Sequence, residues 1–121
     1  MVKIIIAALI ACFIFVSCGD HIVKLPNDYS LVQVYPGSIH LYKNGSGIII
    51  YSNVDKYAVI NNIIVGHVSL ADNEPKKEYC KPGYFIVEMK NNFILQGMTK
   101  QDWLDSLRVK NVNEEPTMES P

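Results

Sequence analysis

The chain has 121 residues, of which 49% are hydrophobic and 19% are charged, and this composition is typical of one small globular domain. Eleven basic and twelve acidic residues give a formal net charge of −1. Such a balance lacks the basic excess that nucleic-acid-binding proteins use against phosphate, and it provides no basic patch for anionic lipids.

The N-terminus carries a long apolar segment that ends at a cysteine, Cys18. Lys3 gives a short positive start, and Ile4–Val16 follows as thirteen residues without a charge. A membrane-spanning helix needs about 20 apolar residues, whereas a secretion signal has an apolar region of about this shorter length. The residues directly before Cys18 resemble the lipobox, although Phe15 stands where leucine is usual. We predict that residues 1–17 are removed and that Cys18 receives a diacylglycerol.

Lipidation would anchor the mature chain on the exported side of a membrane, because two or more acyl chains hold a protein at the bilayer almost permanently. Gly19 follows Cys18, and not the aspartate that resembles an inner-membrane retention signal, so the outer membrane is favoured in a cell with two membranes. Loss of Lys3 with the signal leaves ten basic and twelve acidic residues. The alternatives are an ordinary signal peptide that happens to contain a cysteine, or a buried apolar helix.

The three cysteines do not predict a disulfide. Cys12 lies in the signal and Cys18 would be a thioether, so Cys80 is left without an intramolecular partner. Such a cysteine in an exported domain is either a buried small apolar residue or a free thiol that can pair between chains. A catalytic cysteine needs a neighbouring base, and the spacing of His40 and His67 does not assemble one.

Residues 18–28 are expected to form the lipid anchor and tether. Gly19–Lys24 is a short polar segment, and Leu25–Asp28 is a turn, because proline fixes its own φ and asparagine and aspartate form local side-chain hydrogen bonds. Seven strand candidates rich in β-branched and aromatic residues follow. They are Tyr29–Val34, Ile39–Lys43, Gly47–Tyr51, Tyr57–Ile60, Ile63–Leu70, Tyr84–Met89 and Phe93–Gln96.

Asparagine-centred turns separate several of these strands. Asn44-Gly45 is the strongest short hairpin signal because both residues tolerate a positive φ. Asn61-Asn62 and Asn91-Asn92 predict two further turns. Ser52–Asp55 is expected to break the run of strands, and Asp72–Lys81 is predicted as a polar, charged loop.

Near the C-terminus the hydrophobic period changes from two to 3.6 residues. Thr99 and Asp102 form a capping-box arrangement with aspartate in place of glutamate. Trp103 and Leu107 then share one helix face. We predict a helix from about Lys100 to Val109, with its apolar face on the sheet.

These elements predict a mainly β domain over residues 29–109. We expect a small antiparallel meander of about seven short strands with one short C-terminal helix. Alternation in the strand before the last turn puts Phe85 and Val87 on one face and Ile86 on the other. The polar, acidic segment 110–121 is expected to be a disordered tail.

An ordered series of short motifs covers most of residues 25–108. The motifs are Leu25-Pro26-Asn27, Tyr29-Ser30-Leu31-Val32, Tyr57, Ile64-Val65-Gly66, Gly83-Tyr84-Phe85-Ile86-Val87, Gly97-Met98-Thr99 and Gln101-Asp102-Trp103. This series resembles a family of small uncharacterised bacterial lipoproteins with a domain of unknown function. The resemblance implies secretion, lipidation and a β-rich fold, and it implies no activity.

Patterns of catalysis and metal binding are absent from the sequence. It lacks the motifs of serine hydrolases, zinc proteases and phosphate-binding loops, and it assigns no carboxylate pair for glycoside hydrolysis. His21, His40 and His67 lack carboxylates at ligand spacing, so we expect no metal and no cofactor. Seven tyrosines suit a recognition surface as well as ordinary strand faces.

The loop Asp72–Lys81 is the best candidate for contact with a partner protein, because binding residues concentrate on loops that a rigid scaffold holds. Its candidate contact residues are Glu74, Lys76, Lys77, Glu78 and Tyr79. A solvated linker is the simpler interpretation of the same loop. We predict a non-enzymatic, lipid-anchored envelope module that binds or scaffolds a protein. The alternative is an inhibitor or exclusion lipoprotein that acts on an incoming enzyme, toxin or phage component, and an enzyme ranks third.

Overall fold

The computed structural model describes residues 20–35, 37–51, 53–70 and 80–121, which form eight strands and one helix. The strands are β1 (Asp20–Lys24), β2 (Tyr29–Tyr35), β3 (Ser38–Lys43), β4 (Gly47–Ile50), β5 (Asn53–Ile60), β6 (Ile63–Ser69), β7 (Gly83–Glu88) and β8 (Phe93–Met98), and the helix is α1 (Lys100–Val109).

The strands form two antiparallel sheets of four strands each. Sheet 1 has the order β1-β2-β3-β4 and sheet 2 the order β5-β6-β7-β8, so within each sheet sequence neighbours pair. The prediction of a mainly β fold with one short C-terminal helix is confirmed. The predicted single meander becomes two meanders that pack face to face, which gives each sheet a buried side.

Strand β1 corrects the prediction of a tether over Gly19–Lys24. Asp20 pairs with Gln33, and the pairing continues to Lys24, so this segment is an edge strand of sheet 1. Polar and charged residues suit an edge, because they protect the open side of a sheet from pairing with other chains. Strand β1 therefore begins two residues after Cys18.

Strand β5 begins at Asn53, inside the segment Ser52–Asp55 that is predicted to break the run. A β-bulge between Val54 and Lys56 shifts the register against β6. The extra residue allows Val54 and Tyr57, which are three positions apart, to be buried in the same core. A regular alternation would place them on opposite faces of the sheet.

The larger core lies between the two sheets. Its buried members are Tyr29, Leu31, Leu41 and Ile50 from sheet 1 and Val54, Tyr57, Ile64, Val68, Phe85, Val87 and Met89 from sheet 2 and its last turn. Gly66 makes room within this core, since a Cβ built on it would lie 2.5 Å from a ring carbon of Phe85.

A second core lies between the other face of sheet 2 and α1. Its buried members are Ile63, Val65, Ile86, Trp103 and Leu107. The predicted alternation in β7 is confirmed, because Phe85 and Val87 belong to the first core and Ile86 to the second. Sheet 2 is therefore buried on both faces.

Helix α1 occupies the predicted residues and has the predicted cap. The hydroxyl of Thr99 accepts a hydrogen bond of 3.2 Å from the backbone N–H of Asp102. The indole Nε1 of Trp103 donates to the carbonyl oxygen of Phe85 at 3.1 Å, beside the point where the β7–β8 register shifts. This bond fixes the helix to the strand it covers.

Side-chain hydrogen bonds join the two sheets at both ends of the sandwich. At the end where β3 and β5 begin, the backbone N–H of Ile39 donates to Oδ1 of Asn53 at 3.3 Å. At the opposite end, Oδ1 of Asn92 accepts from the hydroxyl of Tyr29 at 2.7 Å and from Nζ of Lys43 at 2.6 Å. The odd-numbered strands begin at the first end, which we name the strand-start end. The second end carries the three asparagine turns, and we name it the turn end.

The C-terminal segment differs from the predicted disordered tail over residues 110–121. It follows α1, packs Val112 and Met118 against the second core, and pairs with β5 through an isolated bridge between Tyr57 and Glu119. The tail composition predicted disorder because the segment is polar and acidic. Val112 and Met118 pack this segment against the sandwich, and the composition alone does not predict that contact.

Candidate functional site

The residues predicted as sites lie outside the described part of the chain. Cys18 precedes it, and the interval 71–79 holds the candidate contact residues Glu74, Lys76, Lys77, Glu78 and Tyr79. Leu70, which follows β6, and Cys80, which precedes β7, are the described residues on either side of this interval, and both lie at the strand-start end. Cys80 is half-buried and is a free thiol.

A concave surface lies where two edge strands approach each other. The C-terminal part of β1 and the adjoining turn form one wall, β5 forms the other, and the C-terminal segment lies across it. This edge cleft has a volume of about 500 Å³. Its lining is Val23, Lys24, Leu25, Pro26, Tyr57, Ala58, Val59, Thr117, Met118 and Glu119.

The C-terminal segment lies on the β5 edge as a short added strand. The backbone N–H of Tyr57 donates to the carbonyl oxygen of Glu119 at 2.9 Å, and the N–H of Glu119 donates to the carbonyl oxygen of Tyr57 at 3.0 Å. The hydroxyl of Tyr57 also donates to Oε1 of Glu119 at 2.8 Å. Main-chain and side-chain contacts thus recognise the same acidic residue.

The environment of Tyr57 favours its neutral, protonated form. Burial raises the pKa of the phenol, and the hydrogen bond to Glu119 and the charge of that carboxylate raise it further. A raised pKa means that the folded protein holds the proton more tightly than the unfolded chain does. The resulting stabilisation is present below about pH 10 and is lost as the pH rises through the pKa of the folded state.

A second acidic residue of the C-terminal segment, Glu115, forms an ion pair with helix α1. Oε1 of Glu115 lies 2.7 Å from Nζ of Lys100 at the start of α1, and both side chains are about half exposed. The hydrogen bond from Lys100 and the charge of Glu115 raise the pKa of that lysine. An exposed ion pair of this kind contributes little to stability.

A smaller cleft of about 340 Å³ contains a histidine–carboxylate pair. Nδ1 of His67 lies 2.9 Å from Oδ1 of Asp55, and each side chain is about one-third exposed. The imidazole packs edge-on against Tyr84 with a centroid distance of 4.7 Å, and Tyr84 stacks on Trp103. The hydrogen bond to the carboxylate holds the imidazole ring in one orientation within this cleft.

Sequence reasoning missed both clefts. Asp55 and His67 are twelve positions apart, and their contact depends on the β5–β6 register after the bulge. The Asn61-Asn62 turn could have suggested this register, because a tight hairpin fixes which residues face each other. The bridge from Tyr57 to Glu119 spans 62 positions, and no local pattern predicts it.

The described residues contain neither a candidate metal site nor a candidate membrane-spanning helix. They contain no group of three or more histidine, cysteine, aspartate or glutamate side chains arranged to hold a metal ion. Among them, no helix has the length and apolar character to cross a membrane.

Comparisons with protein-family models, with curated proteins and with solved structures gave no match to this chain.

Proposed function

We propose that this protein is a lipid-anchored lipoprotein of the cell envelope that binds a partner protein without catalysing a reaction. The observation that carries the proposal is the position of β1, which begins at Asp20, directly behind the lipobox-like Cys18. The two cores are assembled from described residues between Val23 and Met118. Removal of residues 1–17 would take away none of the described core residues.

The short distance from Cys18 to the fold has a geometric consequence. Two residues span at most about 7 Å, so a lipidated Cys18 would hold the strand-start end against the bilayer. Val34 and Leu70 lie at this end and are 48% and 39% exposed. The side of the sandwich, with its edge cleft, would stay open to other proteins of the envelope.

Recognition of a protein is supported by the edge cleft itself. It already holds an extended peptide through main-chain hydrogen bonds, and sheet edges commonly bind partners in this way. The resemblance to small lipoproteins agrees with an anchored module and adds no activity. Leu70 and Cys80, which flank the interval that the inhibitor alternative would use, lie at the strand-start end, next to the proposed anchor.

The anchor is tested by Cys18→Ser, with Cys12→Ser as the matched control. We expect Cys18→Ser to lose the acyl mass and to accumulate uncleaved precursor, because the thiol accepts the lipid before cleavage. Cys12→Ser should be processed like the wild type, since Cys12 lies within the apolar region of the signal. Intact mass spectrometry and electrophoresis read both effects. Normal cleavage of Cys18→Ser, with no acyl mass on the wild type, would contradict the proposal.

Location is a separate expectation. Gly19 follows Cys18, so in a cell with two membranes the protein should fractionate with the outer membrane. Recovery with the inner membrane alone would contradict this assignment and leave the anchor itself in place.

A further inference from the structure

Strand β5 is an edge strand of sheet 2 and is open to an added strand over most of its length. β5 spans eight residues, Asn53–Ile60, and pairs with β6 along its inner side. On the outer side the described residues contribute a single isolated bridge, at Tyr57. Unfilled main-chain positions on an edge are a template for an extended chain.

The segment on this edge is held by few contacts. Thr117, Glu119 and Ser120 are exposed, and Met118 is only half-buried. Its main-chain bonding to β5 consists of the two hydrogen bonds at Tyr57. Each such bond contributes little net stability when water competes for its groups, so another segment of the same chemistry can replace it.

The contacts also define what the edge recognises. The hydroxyl of Tyr57 selects a carboxylate at one position, and the preceding position carries an apolar side chain, Met118, against the second core. The cleft beside it is lined by Val23, Leu25 and Val59. Lys24 also lines the cleft, and its positive charge favours an acidic segment.

We propose that the β5 edge binds an extended, acidic segment of a partner protein by strand addition, and that the C-terminal segment occupies this site until the partner displaces it. The inference rests on the proposed function, because it names the class of partner that the anchored module binds. The partner segment places an apolar residue where Met118 lies and a carboxylate where Glu119 lies. Its backbone pairs with Tyr57 and continues along β5.

The test uses the full chain in mild detergent and a fluorescein-labelled synthetic peptide with the sequence of residues 111–121. Glu119→Pro removes the N–H that donates to Tyr57 and so releases the chain's own segment. Ser120→Pro is the matched control, one position further on. We expect the peptide to bind Glu119→Pro about tenfold more tightly than it binds the wild type or Ser120→Pro. Fluorescence anisotropy measures the affinities, and circular dichroism establishes that each variant is folded.

Peptide variants test the chemistry of recognition. A peptide with proline at the position of Glu119 should not bind, because it cannot complete the bridge. A peptide with lysine there should bind more weakly, since the hydroxyl of Tyr57 loses its acceptor. Equal binding of all peptides would overturn strand addition as the mode of recognition.

Hydrogen exchange at the amide of Tyr57 gives a second readout. It should be faster in Glu119→Pro, where the chain's own segment is released, than in the wild type, and saturating peptide should slow it again. Equal affinity for all three chains, with no change in this amide at saturating peptide, would overturn the inference. A wild-type dimer that exchanges C-terminal segments, seen by light scattering, would overturn it in favour of a second copy as the occupant.

The two proposals can fail independently. Peptide binding is read in solution, whereas anchoring is read as acyl mass on Cys18. A lipidated protein that binds no peptide contradicts only strand addition, and an unlipidated protein that binds it contradicts only the anchor.

Discussion

The two sheets of the sandwich differ in how many of their faces carry apolar core. Sheet 2 packs one face on sheet 1 and the other under α1, and Phe85, Ile86 and Val87 are consecutive residues with no exposure. In sheet 1, the core face carries Leu41, while the opposite face of the same strand carries polar residues. Ser38 and His40 lie there, buried and 2.7 Å apart between Oγ and Nε2.

This difference shows that an apolar run reports how many faces of a strand carry apolar core. A strand with apolar core on both faces reads as continuous apolar residues, whereas a strand with one apolar face alternates. The same difference predicts which substitutions lower the free energy of unfolding most. Changes under α1 should cost more than changes on the polar face of sheet 1, and three substitutions test this order.

The largest effect is expected at Trp103, the fully buried residue that joins α1 to sheet 2. Trp103→Ala should lower the free energy of unfolding by about 3–5 kcal/mol, because it leaves a cavity and removes the indole donor. Trp103→Phe keeps a ring but leaves the carbonyl of Phe85 without that donor, so its loss should be smaller. Urea denaturation measures both. A melting temperature of Trp103→Ala equal to that of the wild type would show that the second core adds no stability.

An intermediate effect is expected where the two cores meet at sheet 2. Gly66→Ala should cost about 1–3 kcal/mol, because the added methyl group lies too close to the ring of Phe85 and to the carbonyl oxygen of Lys56. Phe85→Leu removes the ring and should relieve part of the strain. The double variant should therefore lose less than the sum of the two single losses. Strict additivity would place the cost in the backbone contact with Lys56 instead.

The smallest effect is expected on the polar face of sheet 1. Ser38→Ala removes the hydroxyl that bonds the imidazole of His40, and a bond of this kind contributes about 0.5–1.5 kcal/mol. Ser46→Ala, at an exposed turn position, is the control and should be close to neutral. Thermal denaturation of the three proteins gives the comparison. A loss from Ser38→Ala as large as that from Trp103→Ala would end the distinction between the two sheets.

The sequence by itself determined the local features of this protein. The turns at Asn61 and Asn92 form because asparagine tolerates a positive φ, and both residues have one, at 52° and 51°. Thr99 caps α1 over the predicted residues, and alternation assigned Phe85 and Ile86 to opposite faces. Each of these features depends on residues within a few positions of one another. Lipidation at Cys18 and the contact role of the interval 71–79 remain predictions.

Only the tertiary structure decided how the local pieces combine. A polar segment at Asp20–Lys24 becomes a strand because β2 offers it an edge, and the bulge after Val54 returns Tyr57 to the core. The edge cleft exists because Glu119 meets Tyr57 across 62 positions of the chain. Each of these pairings is stabilised by contact between residues that are distant in sequence. A short stretch of sequence contains only one of the two partners, so it cannot predict the contact.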